Sequence, residues 1–388
     1  MSFPFFPSGP NIWPVENHLV RLCDLPSTRC HADLIPGTTC VVGDAVLIGA
    51  DKQPHLHRLV EDFDNLKDLC PRMFLVTLTD AVVVIEPGLD GVIFMDGAAI
   101  METQRFCKFR NARSNVCRGR RLIDPDDAII KSKVDRAFIS FDPGWTNYFH
   151  WITLTAPKLL AADSLLPADI PFFLPDLENY RGVPRPPAFS EKVRSDSIAA
   201  LKLSRPVTNI LPGYYHINQL HLIMPDVWQQ FSLVGHSVYR RAFERWQANV
   251  RPLDTPLSKR IFLSRALTKD PRLPLAEGQT AAFAEVLDRA GLVTVQLEGL
   301  EWVHQVNLFR NADLVLGAIG SGNTNMLFAS ERTKLVEIMV GFGPELKFRS
   351  ICFYLAAMLG QKYTYLDGSR ELLTAADFEG ALKMMLPL

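Results

Sequence analysis

The sequence predicts an α/β fold in which a β-rich N-terminal region precedes two α/β units. Residues 1–130 hold short apolar runs bounded by Gly, Pro and Asp, which is typical of small strands and turns. Strand and helix patterns then alternate over residues 131–250, and the same alternation resumes over residues 257–388. Alternation of this kind indicates parallel sheets with helices on their faces. Pro252 and Pro256 mark the linker that we expect between the two units.

The elements follow in order along the chain. In the N-terminal region we expect a small antiparallel sheet with strands at 39–42, 45–48, 74–78, 81–85, 91–94 and 98–101. The first α/β unit is predicted to have strands at 137–141, 170–174 and 220–224 and helices at 148–162 and 190–202. The second is predicted to have strands at 260–263, 293–297, 314–316, 334–339 and 363–366, and helices at 280–290, 302–310, 324–328, 348–359 and 375–385. Ligands of such sheets bind at the carboxyl ends of the strands, so we expect a binding cleft there.

The composition is that of an ordinary globular protein without a strong overall charge. Of the 388 residues, 48% are apolar and 21% are charged, and the net charge of −1 provides no general attraction for nucleic acid or a membrane. The seven cysteines form no C-x-x-C pair, so we expect reduced thiols, no zinc site and a cytoplasmic setting. No apolar run approaches the ~20 residues that span a bilayer, and the N-terminus does not resemble a signal peptide.

A glycine-rich turn at residues 317–325 is the clearest candidate binding site. Residues 314–316 are apolar, glycines follow at 317, 320 and 322, and a second apolar segment begins at Met326. This order predicts a strand that leads into a helix N-terminus, where free N–H groups and the helix dipole favour a phosphate. Glycine also lets the backbone approach a diphosphate where a Cβ would collide. We therefore expect a phosphorylated ligand at this turn.

The same turn has two other interpretations. Gly317, Gly320 and Gly322 give the spacing G-x-x-G-x-G, and Glu337 lies near the distance at which a dinucleotide site places its ribose-binding acid. That would indicate a nicotinamide-dependent oxidoreductase, although the turn lies late in the chain rather than after the first strand of a unit. In the simplest interpretation, the turn is a tight connection that binds no ligand.

A basic loop follows the first predicted strand of the second unit. It contains Arg265, Lys269 and Arg272, and in a parallel sheet it opens on the same edge as the glycine turn. Arginine suits bidentate recognition of phosphate oxygens, so these side chains are candidates to clamp a diphosphate. The alternative is a solvated basic loop.

Several motifs, in order along the chain, resemble glycosyltransferase family 61, whose bacterial members are often described as capsular polysaccharide biosynthesis proteins. The motifs are NYFHW at 147–151, APKL at 156–159, IFLSR at 261–265, LFRNAD at 308–313, the glycine turn with NMLFA at 325–329, and VEI at 336–338. The resemblance covers roughly residues 80–370. Several motifs in the right order are stronger evidence than any one of them.

The resemblance implies a GT-B-like architecture of two facing Rossmann-like domains, with residues 131–250 on the acceptor side and residues 257–388 binding the donor. It implies an inverting transfer from a nucleotide-sugar, as co-substrate, to a glycan or lipid-linked acceptor in polysaccharide biosynthesis. The donor-binding residues would be Arg265, Lys269, Arg272, Gly320, Ser321, Gly322, Asn323, Thr324, Asn325 and Glu337. Glu337 would accept hydrogen bonds from ribose hydroxyls, because a carboxylate has two acceptor oxygens.

The turn departs from the family pattern Gly-x-His-Gly-Ala-Gly-Leu-x-Asn at three positions. Ile319 stands where the family has His, Ser321 replaces Ala, and Asn323 replaces Leu. After the basic loop, Ala276 and Glu277 stand where the family has an Asn-Glu pair. Loss of the imidazole removes a possible donor near the leaving phosphates. A non-catalytic nucleotide-sugar binder or scaffold is therefore the alternative function.

Inverting transfer needs a base to deprotonate the acceptor hydroxyl. His150 is the first candidate, because its aromatic neighbours in the sequence would keep the imidazole neutral, and the alternative for this residue is a core histidine. Asp142 is the second candidate base, since it follows a predicted strand and should face the same cleft. We assign Asn147, Tyr148 and Trp151 to the acceptor side, where the two rings would either stack on a sugar or pack in the core.

Two charge patterns complete the candidate residues. The strings at 62–64 and 124–126 read Asp-x-Asp, but such strings are frequent by chance, and we expect basic side chains and the helix N-terminus to replace a metal. The densest basic cluster would hold an anionic acceptor or contact the inner face of a membrane, or is a solvated loop; its members are Lys108, Arg110, Arg113, Arg118, Arg120 and Arg121. Nucleic-acid binding would require a larger basic face.

Overall fold

The computed structural model shows a mixed α/β protein, as the sequence predicts. It describes residues 19–20, 25–35, 46–47, 73–85, 92–95, 98–100, 130–140, 145–180, 189–225, 236–265, 273–339, 351–368 and 372–386. These residues form two compact units that are interleaved along the chain. The first contains the described parts of 1–37, 72–191 and 202–228, and the second contains those of 38–71, 192–201 and 229–388.

The described elements are strands, α-helices and short 3-10 segments. The strands are β1 (Leu19–Val20), β2 (Cys30–Ile35), β3 (Val46–Leu47), β4 (Met73–Ile85), β5 (Val92–Met95), β6 (Ala98–Ile100), β7 (Ile130–Ile139), β8 (Phe172–Pro175), β9 (Val207–Ile210), β10 (Gly213–Pro225), β11 (Arg260–Leu263), β12 (Val293–Val295), β13 (Leu314–Ala318), β14 (Lys334–Met339) and β15 (Lys362–Asp367). The α-helices are α1 (Tyr148–His150), α2 (Ala156–Leu165), α3 (Glu191–Leu201), α4 (Ser237–Asn249), α5 (Thr280–Arg289), α6 (Trp302–Asn311), α7 (Ile351–Met358) and α8 (Ala375–Met385). Among them, none has the length and apolar character that a bilayer crossing requires.

The first unit is built on a mixed sheet. Its order among the described strands is β1-β6-β5-β4-β10-β7-β8-β9, with β2 also paired to β4. Strands β10, β7, β8 and β9 run parallel to one another, whereas β2, β5 and β10 each pair antiparallel with β4. The expected antiparallel strands are therefore part of a larger sheet rather than a separate small one.

Strand β4 is continuous where the sequence suggests two strands. We expected strands at 74–78 and 81–85, but β4 runs through both and pairs with β10 from Met73 to Ile85. Asp80 has a φ of 57°, and the alternation shifts by one position there, so that Leu78 and Ala81 lie in the same core cluster. Because the period of two is broken at this point, the pattern resembles a turn between strands.

The helix predicted over 148–162 forms in three parts. Helix α1 leads into a π-helical turn at Trp151–Thr155, and α2 follows. Pro157 explains the wider turn, because proline lacks an N–H and its ring collides with the carbonyl four positions earlier in a regular helix. Ser140 Oγ donates a hydrogen bond to the Thr155 carbonyl at 2.9 Å. His150 therefore lies beside a helix irregularity of a kind that is frequent at functional sites.

The second unit contains a parallel sheet. Its order among the described strands is β12-β11-β13-β14-β15-β3, and each of these pairs is parallel. From β11 the chain moves outward to β12 and then returns to β13 on the other side. The strand order therefore reverses between β11 and β13. Ligands of doubly wound sheets bind at such a reversal, beyond the carboxyl ends of the two strands that flank it. Strand β3, from the N-terminal region, extends the far edge beside β15.

Helix α4 is absent from the predicted elements and packs in the second unit. Its N-cap is His236, whose Nδ1 accepts a hydrogen bond from the Val238 N–H at 3.2 Å. Trp246 is fully buried and packs edge-on against Trp302 and Phe328, with ring centroids 6.1 and 6.2 Å apart. These aromatic contacts anchor the end of the 3-10 helix Ser321–Phe328, which begins in the glycine turn.

Candidate functional site

Two chain segments meet at the carboxyl edge of the parallel sheet in the second unit. Strand β11 continues into Ser264 and Arg265, and strand β13 continues into the glycine turn. Leu263 at the end of β11 pairs in register with Gly317, so the two segments leave the sheet side by side. The beginning of the basic loop and the glycine turn are therefore neighbours, which is the arrangement expected from the sequence.

The Arg265 guanidinium lies directly against the backbone of Gly320. A Cβ at Gly320 would collide with the Nη1 atom of Arg265 and lie 3.3 Å from its Cζ atom. Gly320 has φ 173° and ψ 167°, an extended conformation that any residue adopts. An alanine at this position would thus be accepted by the backbone but would have to displace the guanidinium.

The accessible part of the turn is short. Gly320, Ser321 and Gly322 are partly exposed, and the 3-10 helix begins at Ser321. The first N–H groups of a helix have no partners within it, so this end suits an anion. The sequence predicts an α-helix at 324–328, but the segment has 3-10 geometry and is longer. A 3-10 helix is the tighter form, and at eight residues this one is longer than such helices usually are.

Asn323 fixes the turn from its buried side. Its backbone N–H donates to the Gly320 carbonyl at 3.2 Å, and its Nδ2 donates to the Ala318 carbonyl at 3.3 Å and to Glu337 Oε1 at 3.2 Å. Its Oδ1 would lie 2.6 Å from a Cβ at Gly317. Gly317 therefore has to be glycine for the Asn323 amide to reach the end of β13.

Glu337 lies below Asn323 and is fully buried. Tyr363 donates its hydroxyl proton to Glu337 Oε2 at 2.7 Å, and the Cys352 thiol also forms a hydrogen bond with this carboxylate. Burial raises the pKa of the Glu337 carboxyl, and hydrogen bonds from Tyr363, Cys352 and Asn323 act in the opposite direction. Because the protein engages both carboxylate oxygens, the geometry favours a supporting role. The contact between Glu337 and a ribose stays a prediction.

Two of the three donors to Glu337, Tyr363 and Cys352, are titratable and are themselves held in the protonated form. Burial, reinforced by the Glu337 charge, raises the pKa of the Tyr363 hydroxyl and of the Cys352 thiol well above their ordinary values. Both residues were missed from the sequence, because they belong to no motif. A signal did exist: an acid within an apolar strand needs buried donors from its neighbours.

The remaining donor-site candidates divide into two groups. Thr324 and Asn325 are buried, and Asn325 Nδ2 donates to Gln305 Oε1 at 3.1 Å, which ties the 3-10 helix to α6. Lys269 and Arg272 lie outside the described residues. Among the described residues, the accessible candidates are thus Arg265 and the three residues of the turn from Gly320 to Gly322.

In the first unit, the acceptor-side candidates are packed together. Asn147 is the N-cap of α1, and its Oδ1 accepts from the Phe149 N–H at 2.9 Å. Tyr148 and Trp151 are buried and pack on the ring of Phe189, at centroid distances of 6.1 and 5.9 Å. Their burial favours packing over stacking on a sugar.

Of the two candidate bases, His150 lies among the described residues. His150 is partly exposed, and its ring lies edge-on to Phe149 at 5.3 Å. Asp142 lies outside the described residues, as do the two Asp-x-Asp strings and the basic cluster at 108–121. Within the described part of the chain, no three His, Cys, Asp or Glu side chains are grouped so as to bind a metal ion.

The sequence similarity of this chain to known proteins includes several of the candidate residues described above. A search of curated proteins gives no match. The family model described as Glycosyltransferase 61 matches residues 148–336, which include His150, Arg265 and the glycine turn. The match ends one residue before Glu337. Over these residues, which make up slightly less than half of the chain, the protein is similar to glycosyltransferase family 61.

Proposed function

We propose that this protein is an inverting glycosyltransferase that passes a sugar from a nucleotide-sugar to a glycan or glycoconjugate acceptor in polysaccharide biosynthesis. The position of the Arg265 guanidinium against Gly320 carries the proposal. This pair lies at the carboxyl edge of the sheet, beside the reversal between β11 and β13. The match to family 61 supports sugar transfer in general.

The departing nucleoside diphosphate is the group that the donor site must stabilise, because it gains negative charge as its bond to the sugar breaks. Arg265 offers N–H donors in a planar fork, which suits two phosphate oxygens. The N–H groups at the start of the 3-10 helix add further donors at Ser321 and Gly322. We propose that Lys269 and Arg272 complete the clamp and that these cations replace a metal ion. No cofactor is needed beyond the nucleotide-sugar.

The acceptor hydroxyl loses a proton as it attacks the sugar, and His150 is our proposed base. The residue is partly exposed, and α1 and the π-helical turn hold its backbone. Asp142 is the alternative base. Asn147, Tyr148 and Trp151 would act by fixing α1, with direct acceptor contact as the second possibility.

The domain arrangement and location are also proposals. We propose a GT-B-like enzyme in which residues 131–250 serve the acceptor and residues 257–388 bind the donor, except that α4 and all but the first residue of α3 pack in the second unit. The chain would work in the cytoplasm, with peripheral membrane contact through the basic cluster at 108–121. The alternation of strands and helices supports the domain arrangement, and the positive charge of the cluster supports the membrane contact.

Nucleotide binding is the first test. Isothermal titration of the purified protein with UDP, GDP, ADP, CDP and dTDP should identify one preferred diphosphate, and Arg265→Ala should abolish or strongly weaken its binding. Arg289→Ala is the matched control, because it removes the same charge from an exposed site. Arg289 precedes β12 and therefore lies at the amino ends of the strands, whereas the glycine turn lies at their carboxyl ends. Equal loss in both variants would show a general effect of charge and would contradict the proposed site.

The base assignment needs an activity assay with the sugar conjugate of the preferred diphosphate. His150→Ala should retain the nucleotide Kd and lose turnover, whereas His31→Ala, an exposed histidine of the same unit, should retain both. If turnover persists in His150→Ala and falls in Asp142→Asn, the base is Asp142. Full turnover in both variants would remove both candidates.

A non-catalytic nucleotide-sugar binder is the alternative function, and one observation favours it. Ile319 occupies the position where the family has His, and its side chain is apolar and buried. It cannot donate a proton to the leaving phosphates. Saturable binding of a nucleotide-sugar without hydrolysis or transfer, over a broad panel of acceptors, would support this alternative.

A further inference from the structure

A row of buried hydrogen bonds runs beneath the glycine turn, across three neighbouring strands. Tyr363 in β15 donates to Glu337 in β14, and Glu337 accepts from Asn323, whose amide also donates to Ala318 at the end of β13. All of these side chains are buried, with Glu337 and Asn323 at 0% and 1% exposure. These side chains therefore bond to one another and to the backbone beneath the exposed surface of the turn.

The row ends at the atoms that shape the exposed turn. The backbone N–H of Asn323 donates to the Gly320 carbonyl, which closes the loop formed by Gly320, Ser321 and Gly322. On the other side of that loop lies the Arg265 guanidinium. A change in the side-chain position of Asn323 would therefore move the residues that we assign to the diphosphate.

We propose that Glu337 is a positioning residue that holds the glycine turn in its phosphate-binding shape through Asn323, with Tyr363 fixing the carboxylate from the opposite side. The proposal rests on the diphosphate role proposed above for this turn. Among the described residues, the Glu337 carboxylate accepts hydrogen bonds from three donors: an amide N–H, a phenol O–H and a thiol S–H. A carboxylate is the side chain that accepts from several donors at once.

The variant that tests the proposal removes a single oxygen atom. Tyr363→Phe deletes the hydroxyl that donates to Glu337 and leaves the ring in the core. Thr333→Val is its matched control, since Thr333 is fully buried and its Oγ1 donates to the Ala312 carbonyl at 2.7 Å. Thr333 precedes β14, at the amino edge of the same sheet and away from the turn. Both variants lose a buried hydrogen bond in the same unit, and Thr333→Val also loses a longer, partly buried one to Ser330 Oγ at 3.3 Å.

We expect both variants to lower the melting temperature by similar amounts, and only Tyr363→Phe to weaken diphosphate binding. The preferred nucleoside diphosphate should bind Tyr363→Phe about fivefold more weakly, the factor that corresponds to one ordinary hydrogen bond. Asn323→Ala should show a larger loss, because it removes the link itself. Glu337→Gln, which keeps one acceptor oxygen, should lie between the wild type and Asn323→Ala.

Hydrogen exchange separates this proposal from the proposed function. The amide of Asn323, bonded to Gly320, should exchange faster in Tyr363→Phe than in Thr333→Val. If the wild type binds none of the five diphosphates, the proposed function fails, yet the exchange rates still decide whether the row positions the turn. Equal exchange at Asn323 and equal diphosphate affinity in Tyr363→Phe and Thr333→Val would overturn the positioning role.

Discussion

Replacing Gly320 with alanine separates the binding role of Arg265 from the stability of the turn. The added Cβ would occupy the place of the Arg265 Nη1 atom, so one of the two has to move. The backbone at Gly320 is extended and accommodates alanine, whereas an arginine side chain ends in a flexible group. We therefore expect the guanidinium to leave the turn while the fold stays intact.

The size of the effect follows from the contacts that are lost. A hydrogen bond between charged groups contributes about 1.5–3 kcal/mol. Displacing the guanidinium from the diphosphate should therefore raise Kd by roughly 10- to 150-fold, since each 1.4 kcal/mol corresponds to a factor of ten. The melting temperature should change little, because alanine restricts the unfolded chain by about 0.4–1 kcal/mol and offsets part of any local strain.

Isothermal titration with the preferred nucleoside diphosphate measures this effect, with Gly380→Ala as the control. Gly380 lies in α8, has nothing within 4 Å of an added Cβ, and should keep the wild-type Kd. If Gly320 acts only through Arg265, the double variant Gly320→Ala/Arg265→Ala should bind no more weakly than Arg265→Ala alone. Additive losses, or an unchanged Kd in Gly320→Ala, would refute the reasoning.

Two further predictions concern stability. Burial raises the pKa of the Glu337 carboxyl, so the folded state binds the carboxyl proton more tightly than the unfolded state does. The contribution of this carboxyl to the free energy of unfolding should therefore fall as the pH rises from 4.5 through the raised pKa. Melting temperatures measured across that window should therefore fall for the wild type relative to Glu337→Gln, and parallel curves would contradict the assignment. The second prediction concerns Arg205, which forms an ion pair with Asp163, contacts the Phe172 ring at 4.7 Å and donates hydrogen bonds to the carbonyls of Leu166 and Pro167. Because Arg205→Ala leaves Asp163 without this partner, it should lower the free energy of unfolding, measured by urea denaturation, by about 3–5 kcal/mol. Exposed Arg289→Ala is its control and should change stability by less than ~0.5 kcal/mol.

The fold of the second unit could be predicted closely from its sequence. Strands β11 and β14 and helix α8 have the predicted bounds, because each is an apolar stretch between clear turn signals. Helix α4 was missed, although Val238, Tyr239, Ala242, Phe243 and Trp246 recur at helical spacing among charged residues. In the first unit, β10 begins at Gly213 instead of residue 220, since exposed Asn218 and Gln219 interrupt its apolar pattern.

The candidate site was predictable to the level of chain segments but not of side-chain direction. Parallel strands place their carboxyl ends on one edge, and this rule alone brings Arg265 beside the glycine turn. The direction of Glu337 does not follow from such a rule. All but the first residue of β14 is buried, so no alternation distinguishes a side chain that faces a ligand from one that faces the core. Only the positions of Tyr363 and Asn323 resolve it.

The three departures of the turn from the family pattern have different consequences once their exposure is known. Ile319 is buried, and its N–H donates to the Ile338 carbonyl at 2.8 Å, so it holds the turn to β14. Asn323 points inward and joins the row of hydrogen bonds that ends at Tyr363. Ser321 alone is partly exposed, at the start of the 3-10 helix, and it adds a hydroxyl donor where the family has alanine. The turn has thus lost one donor and gained another on its accessible side, which supports a retuned donor site over an abandoned one.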